Sequence, residues 1–128
     1  MEPAVQSALS QGGIADITTT GRKTGTPHRI EIGFQVLSGD YFITGQPGRK
    51  RDWLANLSAN PDFTLHLTQG VTADVPVTAA VITDADEREA VLRRILSESW
   101  DNPPSKVDHI IDRWVEEAPL IRFAPAAQ

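Results

Sequence analysis

The sequence contains no cysteine, and this absence excludes several kinds of site at once. Without thiols there is no disulfide framework, no cysteine nucleophile, no cysteine-bound zinc and no iron–sulfur cluster. Long apolar runs are also missing. The longest, residues 79–82, is far shorter than the roughly 20 residues that a membrane-spanning helix needs. Glu2 stands where a secretory signal would have a basic residue, and no apolar stretch follows it. We therefore expect no secretory signal and a cytoplasmic location.

Aromatic residues are scarce, at 6% of the chain, and Tyr41 is the single tyrosine. The sequence therefore offers no row of aromatic side chains on which nucleic acid bases could stack. The glycine-rich nucleotide loops G-x-x-x-x-G-K-[ST] and G-x-G-x-x-G do not occur. His28, His66 and His109 do not share the spacing of a histidine metal site, so we expect no metal.

What remains is an ordinary globular composition. The chain has 128 residues, of which 40% are hydrophobic and 23% charged, and we expect one domain over residues 1–128. Its net charge of −5 is unevenly distributed. All six basic residues of the first half lie within residues 22–51, where only two acidic residues oppose them. A local basic region on an acidic protein favours a small anionic ligand over a nucleic acid.

The hydrophobic periodicity predicts six strands and four helices. We predict strands at residues 14–20, 28–37, 41–45, 63–68, 71–81 and 120–124. Predicted helices cover residues 3–11 and about 50–59, one follows a reciprocal cap at residues 84–87, and one is capped by Ser105. Pro76 indicates an edge strand or a bulge. The predominance of hairpin connections predicts an α+β, mainly β fold: a six-stranded, mostly antiparallel split β-barrel with flanking helices.

Two basic segments carry the chemical signal. In the first, residues 18–25, Arg22 and Lys23 lie in a glycine-containing turn whose exposed N–H groups would form an anion-binding concavity, with Arg29 on the following strand. The second, residues 45–53, places Arg49, Lys50 and Arg51 at the predicted start of a helix. The helix dipole makes cations unfavourable there unless an anion binds, so a phosphate site is predicted.

These segments also carry a family resemblance. The stretch DITTTGRKTGTPHRIEIGF, followed by GDYFITGQPGRKRDWLANLSANPDFTLHL, resembles the deazaflavin-dependent nitroreductase family, also called the deazaflavin-type quinone reductase family. Residues 16–67 carry most of the resemblance, and APLIRF is similar to the family's last strand. The resemblance implies a split β-barrel oxidoreductase. Its reduced deazaflavin coenzyme would give a hydride to a quinone, a nitroaromatic compound or an activated alkene.

The resemblance also implies which residues bind the coenzyme. Arg22, Lys23 and Arg29 would contact its phosphate and polyglutamate tail, and the basic residues 49–51 would contact the tail or the ring. Trp53 and Asn56 match the family's Trp-x-x-Asn motif, and the backbone at Gly45 and Gln46 would line the ring.

No catalytic residue is assigned from the sequence. Hydride addition to a carbonyl or enone leaves an oxyanion, which needs a nearby hydrogen-bond donor. Tyr41, His28 and Gln46 are candidates by sequence position alone, and solvent could serve instead.

Other functions stay open at this stage. An FMN-binding split-barrel oxidoreductase is one alternative, although a single phosphate needs fewer cations than the sequence provides. A non-catalytic carrier of a flavin, a deazaflavin or an apolar ligand is another. Split barrels often form homodimers, and no sequence feature decides the oligomeric state.

Overall fold

Six strands close into a β-barrel in residues 1–126, the part of the chain that the computed structural model describes. The order around the barrel is β1-β2-β3-β6-β5-β4, every neighbouring pair is antiparallel, and β4 closes the ring against β1. The strands are β1 Gly13–Thr20, β2 Pro27–Leu37, β3 Asp40–Thr44, β4 Asp62–Leu67, β5 Ala73–Val81 and β6 Leu120–Pro125. The predicted fold class is confirmed.

Alternating side chains fill the barrel, as the period of two in a strand requires. Leu65 of β4 lies opposite Ile17 of β1 and Val75 of β5, and all three are buried in the same core. Helix α1, Pro3–Gln11, adds Val5 and Leu9 to this core.

A second apolar core lies outside the barrel wall, under the helical segment that separates β5 from β6. This segment contains α3 Ala85–Arg94, a π-helical turn Ile95–Ser99, and α4 Pro104–Glu117. Strands β3 and β6 are buried on both faces as a result. Ile43 and Ile121 point into the barrel core, whereas Phe42 and Leu120 point into the helical core. The helices are therefore an integral layer of the fold.

The start of helix α2 differs from the prediction. The helix spans Asp52–Ala59, so the basic residues 49–51 precede it, and Arg51 is its N-cap. Asp52 occupies the first turn, where a carboxylate is favourable to the helix dipole. The cations therefore flank the helix N-terminus instead of occupying its first turn, and Asp52 offsets part of their unfavourable interaction with the dipole.

Three smaller predictions were wrong in part. Ser105 does not cap α4, because Pro104 occupies the first position of the helix and Pro103 is its N-cap. Asp84 does cap α3, accepting a hydrogen bond from the Glu87 N–H at 2.9 Å, but the Glu87 carboxylate contacts Arg122 instead of returning to the cap. Pro76 marks no edge strand, since β5 pairs with both β4 and β6.

Among the helices of residues 1–126, none combines the length and the apolar character that crossing a bilayer requires.

Candidate functional site

A groove of about 580 Å³ runs between the glycine turn after β1 and the start of α2. It brings together both basic segments that the sequence singled out. Arg22 and Lys23 line one side, and Lys50 and Arg51 line the other. The remaining lining residues are Thr19, Gly21, Thr24, His28, Ile30, Asp52, Trp53 and Asn56.

Asn56 joins the two sides of the groove. Its side-chain oxygen accepts hydrogen bonds from the backbone N–H of Arg22 at 3.1 Å and from the Arg22 guanidinium at 2.9 Å. Its amide nitrogen donates to the hydroxyl of Thr19 at 3.1 Å. Asn56 is 2% exposed, and α2 places it there because its side chain shares the inward face of the helix with Trp53 and Leu57. The motif residue is thus a buried brace between the turn and the helix.

The glycine turn offers fewer free N–H groups than predicted. The Gly21 N–H donates to the Thr26 carbonyl, the Gly25 N–H to the Gly21 carbonyl, and the Arg22 N–H to Asn56. Within residues 1–126, only the N–H groups of Lys23 and Thr24 in this turn have no protein acceptor. The side-chain cations therefore dominate the attraction for an anion, with at most two backbone donors assisting.

Arg51 is held beneath the backbone of Gly45. Its guanidinium donates to the carbonyl of Gln46 at 2.7 Å and to that of Arg49 at 3.0 Å. A Cβ at Gly45 would lie 2.7 Å from Nη2 of Arg51, so this packing needs glycine. Burial, followed by repulsion from Arg49, lowers the pKa of Arg51 from its usual value. An anion bound nearby would relieve that repulsion.

The groove continues into a second depression of about 590 Å³. The two share Arg22, Lys50, Arg51 and Asp52, and Arg49 lines the second depression only. The combined surface carries five of the six cations of the first half of the chain. Among residues 1–126, Asp52, which pairs with Arg22 at 3.4 Å, is the only acidic residue lining the first groove. Glu116 and Glu117 also line the second depression, so the part of the surface that can accept an extended polyanion is the one formed by these five cations.

The lining of the first groove also has an apolar part. Ile30 remains 37% exposed on β2 because no helix covers it, and the largely buried Trp53 borders the same space. His28 lies one strand period away from Ile30 and lines the groove as well. Gly21 makes room for the imidazole, since a Cβ there would lie 2.9 Å from His28 Nε2. A planar ring could rest against the apolar part of the groove.

Arg29 and Gly45, which the sequence predicted as coenzyme contacts, do not line the groove. Arg29 faces the opposite side of β2 from His28 and pairs with Asp16 at 2.9 Å, so it does not join Arg22 and Lys23. Gly45 touches the groove only through Arg51.

Two of the three candidate donors also fall outside the groove. Tyr41 packs on Phe123 with ring centroids 5.4 Å apart and accepts a hydrogen bond from Gln6 at 3.4 Å. Gln46 lines a separate cavity beside α4. Of the three candidates, only His28 lines the groove.

The lining residues that were not among the predicted site residues are Thr19, Gly21, Thr24, Ile30 and Asp52. The alternation of β2 placed Ile30 on the apolar face and therefore in the core. Its exposure could be inferred only by knowing where α1 and α2 stop covering the barrel. No group of three or more His, Asp or Glu side chains within residues 1–126 is placed to hold a metal ion.

Comparison with known proteins agrees with this geometry. The family model described as F420H2-dependent quinone reductase matches residues 4–116, which is most of the chain. A search of curated proteins found no match.

Solved structures share the fold at low sequence identity. A conserved hypothetical protein of Mycobacterium tuberculosis superposes with a TM-score of 0.73 and 15% identity, covering 99% of this chain and 82% of its own. A structure named F420 reductase has a TM-score of 0.66 and 18% identity, with 99% and 96% covered. A structure named F420-H2 dependent reductase has a TM-score of 0.60 and 20% identity, with 88% and 94% covered.

The family match rests on the chain's own sequence, and the barrel and groove described above are consistent with it. The chain belongs to the F420H2-dependent quinone reductase family and is a deazaflavin-dependent oxidoreductase.

Proposed function

We propose that the groove binds the reduced deazaflavin coenzyme with its anionic tail along the cations and its ring against Ile30 and Trp53. The acceptor is a small planar molecule: a quinone, a nitroaromatic compound or an activated alkene. The single observation that carries the proposal is the continuity of the basic surface. Two clusters about 30 residues apart in sequence share one groove, and a side-chain brace from Asn56 to Arg22 keeps them together.

The side chains fit a long polyanion better than a single phosphate. Lys23 and Lys50 make no side-chain hydrogen bond or ion pair within residues 1–126 and are exposed, so both are available to a ligand. Arg49 and Arg51 extend the positive surface into the second depression. An FMN phosphate would engage only part of this surface. The deazaflavin tail, with a phosphodiester and several carboxylates, can engage all of it.

The protein's part in the reaction is binding and orientation. When bound, the coenzyme supplies the hydride. Ile30 and Trp53 give the ring an apolar wall, and the buried Asn56 fixes the turn that carries Arg22 and Lys23. His28 is the candidate donor that lines the groove, and its imidazole can donate a hydrogen bond to the developing oxyanion of the acceptor. Tyr41 and Gln46 are too displaced from this groove to share that role.

The test is a fluorescence titration with the coenzyme, with FMN, and with a deazaflavin that lacks the tail. We expect the complete coenzyme to bind most tightly. The double variant Arg22→Ala/Lys23→Ala should weaken its binding by more than about tenfold, which corresponds to about 1.4 kcal/mol. Arg29→Ala is the matched control, because it removes a nearby cation that does not line the groove.

Turnover is measured separately with the reduced coenzyme and menadione as the quinone. Equal and weak binding of FMN and the deazaflavin coenzyme would contradict the proposed site. Tight coenzyme binding without reduction of menadione or a nitroaromatic acceptor would instead support the carrier alternative.

A further inference from the structure

We propose that the chain has a second ligand site, for a small aromatic carboxylate, in the cavity between α4 and the loop that follows β3. The cavity measures about 490 Å³, within the range of small-molecule sites. It is distinct from the coenzyme groove, and none of its lining residues lines that groove. The inference is independent of the proposed coenzyme function.

Two tryptophans form the aromatic part of the cavity. Trp100 and Trp114 pack edge to face, with ring centroids 5.5 Å apart. Trp114 is 6% exposed and anchors the pair in the helical core, whereas Trp100 is 37% exposed. Exposure of a large aromatic ring to water is unfavourable in free energy. A ring that a buried neighbour already holds in place is well suited to stack on a planar ligand. The cavity wall is completed on this side by Leu96 and Ile110.

Basic side chains form the opposite part. Lys106, His109 and Arg113 line the cavity and follow one another at helical spacing along α4. We call these three residues the basic stripe. No acidic residue of the described part of the chain lines the cavity. Asp108 and Asp112 are on a different face of the helix, and Asp108 is paired with Arg93 at 2.8 Å. Glu117 lies one turn beyond Arg113 on the same face of α4, but it does not line the cavity.

The basic stripe is only partly neutralised. Arg113 pairs with Glu117 at 2.7 Å, one turn along the helix. Lys106, within residues 1–126, has no side-chain hydrogen bond or ion pair and is exposed. The His109 side chain, within the same residues, also has no such partner and is exposed, so Lys106 and His109 can contact a carboxylate without breaking an ion pair. Because the ring and the cations face one cavity, the ligand that satisfies both is an anion with an aromatic ring.

The backbone that positions Trp100 is irregular. Trp100 follows the π-helical turn, and its N–H donates to the carbonyl of Ile95 at 3.0 Å. The next residue, Asp101, has a φ of 58°, which is unusual for a residue other than glycine. Asn102 then fixes the loop by donating from both its backbone N–H and its side chain to the carbonyl of Leu96, at 3.0 and 2.9 Å. π-helical turns are frequent at functional sites, and this one sets the position of Trp100.

The test uses the full chain without coenzyme and 2-naphthoate as the probe. Isothermal titration calorimetry measures its affinity, and indole N–H signals in NMR spectra report whether Trp100 is contacted. We expect saturable binding with a shift of the Trp100 signal, and at least about tenfold weaker binding of 2-naphthalenemethanol, which lacks the charge. Cyclohexanecarboxylate, which lacks the aromatic ring, should also bind more weakly.

Variants locate the site. Lys106→Gln should weaken 2-naphthoate binding by about tenfold, because one charge-assisted contact is lost, whereas Lys106→Arg should restore it. Trp100→Ala should weaken it several-fold, with Trp100→Phe intermediate. Lys23→Gln, the same change in the coenzyme groove, is the matched control and should leave 2-naphthoate binding unchanged.

Three results would overturn the inference: equal affinity for the acid and the alcohol, no response to Lys106→Gln, or weakening by Lys23→Gln. The last would place the acid in the coenzyme groove. Failure of the protein to bind deazaflavin would leave all three comparisons intact, so the two proposals can fail separately.

Discussion

Asn56 accepts hydrogen bonds from both the backbone N–H and the guanidinium of Arg22, at 3.1 and 2.9 Å. The two residues belong to the two different sequence motifs, and this contact converts their separation of 34 positions into one wall of a groove. Because the buried Asn56 amide links the turn to the helix, its hydrogen bonds support both the shape of the groove and the stability of the fold.

Asn56→Ala should therefore affect both. Removal of the amide leaves the Arg22 N–H and the Thr19 hydroxyl without their partner, and we expect a loss of about 2–3 kcal/mol in the free energy of unfolding. Urea denaturation measures it. Asn60→Ala, at the exposed end of the same helix, is the control and should stay within about 0.5 kcal/mol of the wild type. Similar losses in the free energy of unfolding for the two variants would show that the Asn56 hydrogen bonds do not stabilise the fold.

Gly45→Ala should disturb Arg51. The added Cβ would lie 2.7 Å from the guanidinium, so the side chain must move, and we expect destabilisation of about 1–3 kcal/mol. Gly33→Ala is a matched control in β2, because a Cβ there meets nothing closer than 3.8 Å. Thermal unfolding compares the two. In the background of Arg51→Ala the cost of Gly45→Ala should largely disappear. An undiminished cost would show that the substitution destabilises the backbone at Gly45 and does not act through contact with Arg51.

Coenzyme affinity should depend on salt. Raising the ionic strength tenfold shortens the Debye length about threefold, so attraction between an exposed basic surface and a polyanion weakens. We expect the dissociation constant of the complete coenzyme to rise, and to rise less for the Lys23→Gln/Lys50→Gln variant. A deazaflavin without the tail is the control ligand and should bind with little change. Equal salt dependence for the two ligands would show that the tail does not bind to the basic surface.

Arg88 should be the most sensitive arginine for stability. Its guanidinium donates to the carbonyls of Ile82 and Val115 at 2.9 and 2.8 Å, and also to those of Trp114 and Ala118. Burial lowers the pKa of this group from its usual value. Arg88→Met leaves several carbonyls without a donor and should cost about 2–4 kcal/mol in urea denaturation. Arg93→Met, on the exposed side of the same helix, is the control and should change the urea midpoint little. A loss for Arg93→Met as large as that for Arg88→Met would contradict the prediction.

Most of the fold was predictable because local patterns and tertiary packing agree. Phe63, Leu65 and Leu67 alternate with polar residues in the sequence, and all three are buried in the barrel. The start of α2 was not predictable from composition. Arg49 and Lys50 are good helix formers, but the turn at Gly48, with a φ of 82°, and the packing of Arg51 on Gly45 delay the helix to Asp52.

The sequence grouped four cations that the structure places in one groove, but it misjudged the orientation of Arg29. Arg22 and Lys23 share the groove with Lys50 and Arg51, as the continuous basic surface requires. Arg29 was grouped with them by closeness in sequence, yet the strand period turns it to the other face, toward Asp16. The cavity beside α4 was not foreseen, because the segment after β3 and helix α4 are more than 50 residues apart and only the π-helical turn brings Trp100 between them.

The uneven pairing of β2 has a consequence for self-association. Gln35, Val36 and Leu37 pair with β3, whereas residues 27–34 pair with β1 on one side and with no strand of residues 1–126 on the other. A second copy of the chain that extended the sheet would therefore have to pair along this stretch of β2, and a proline placed there would interrupt such a pairing.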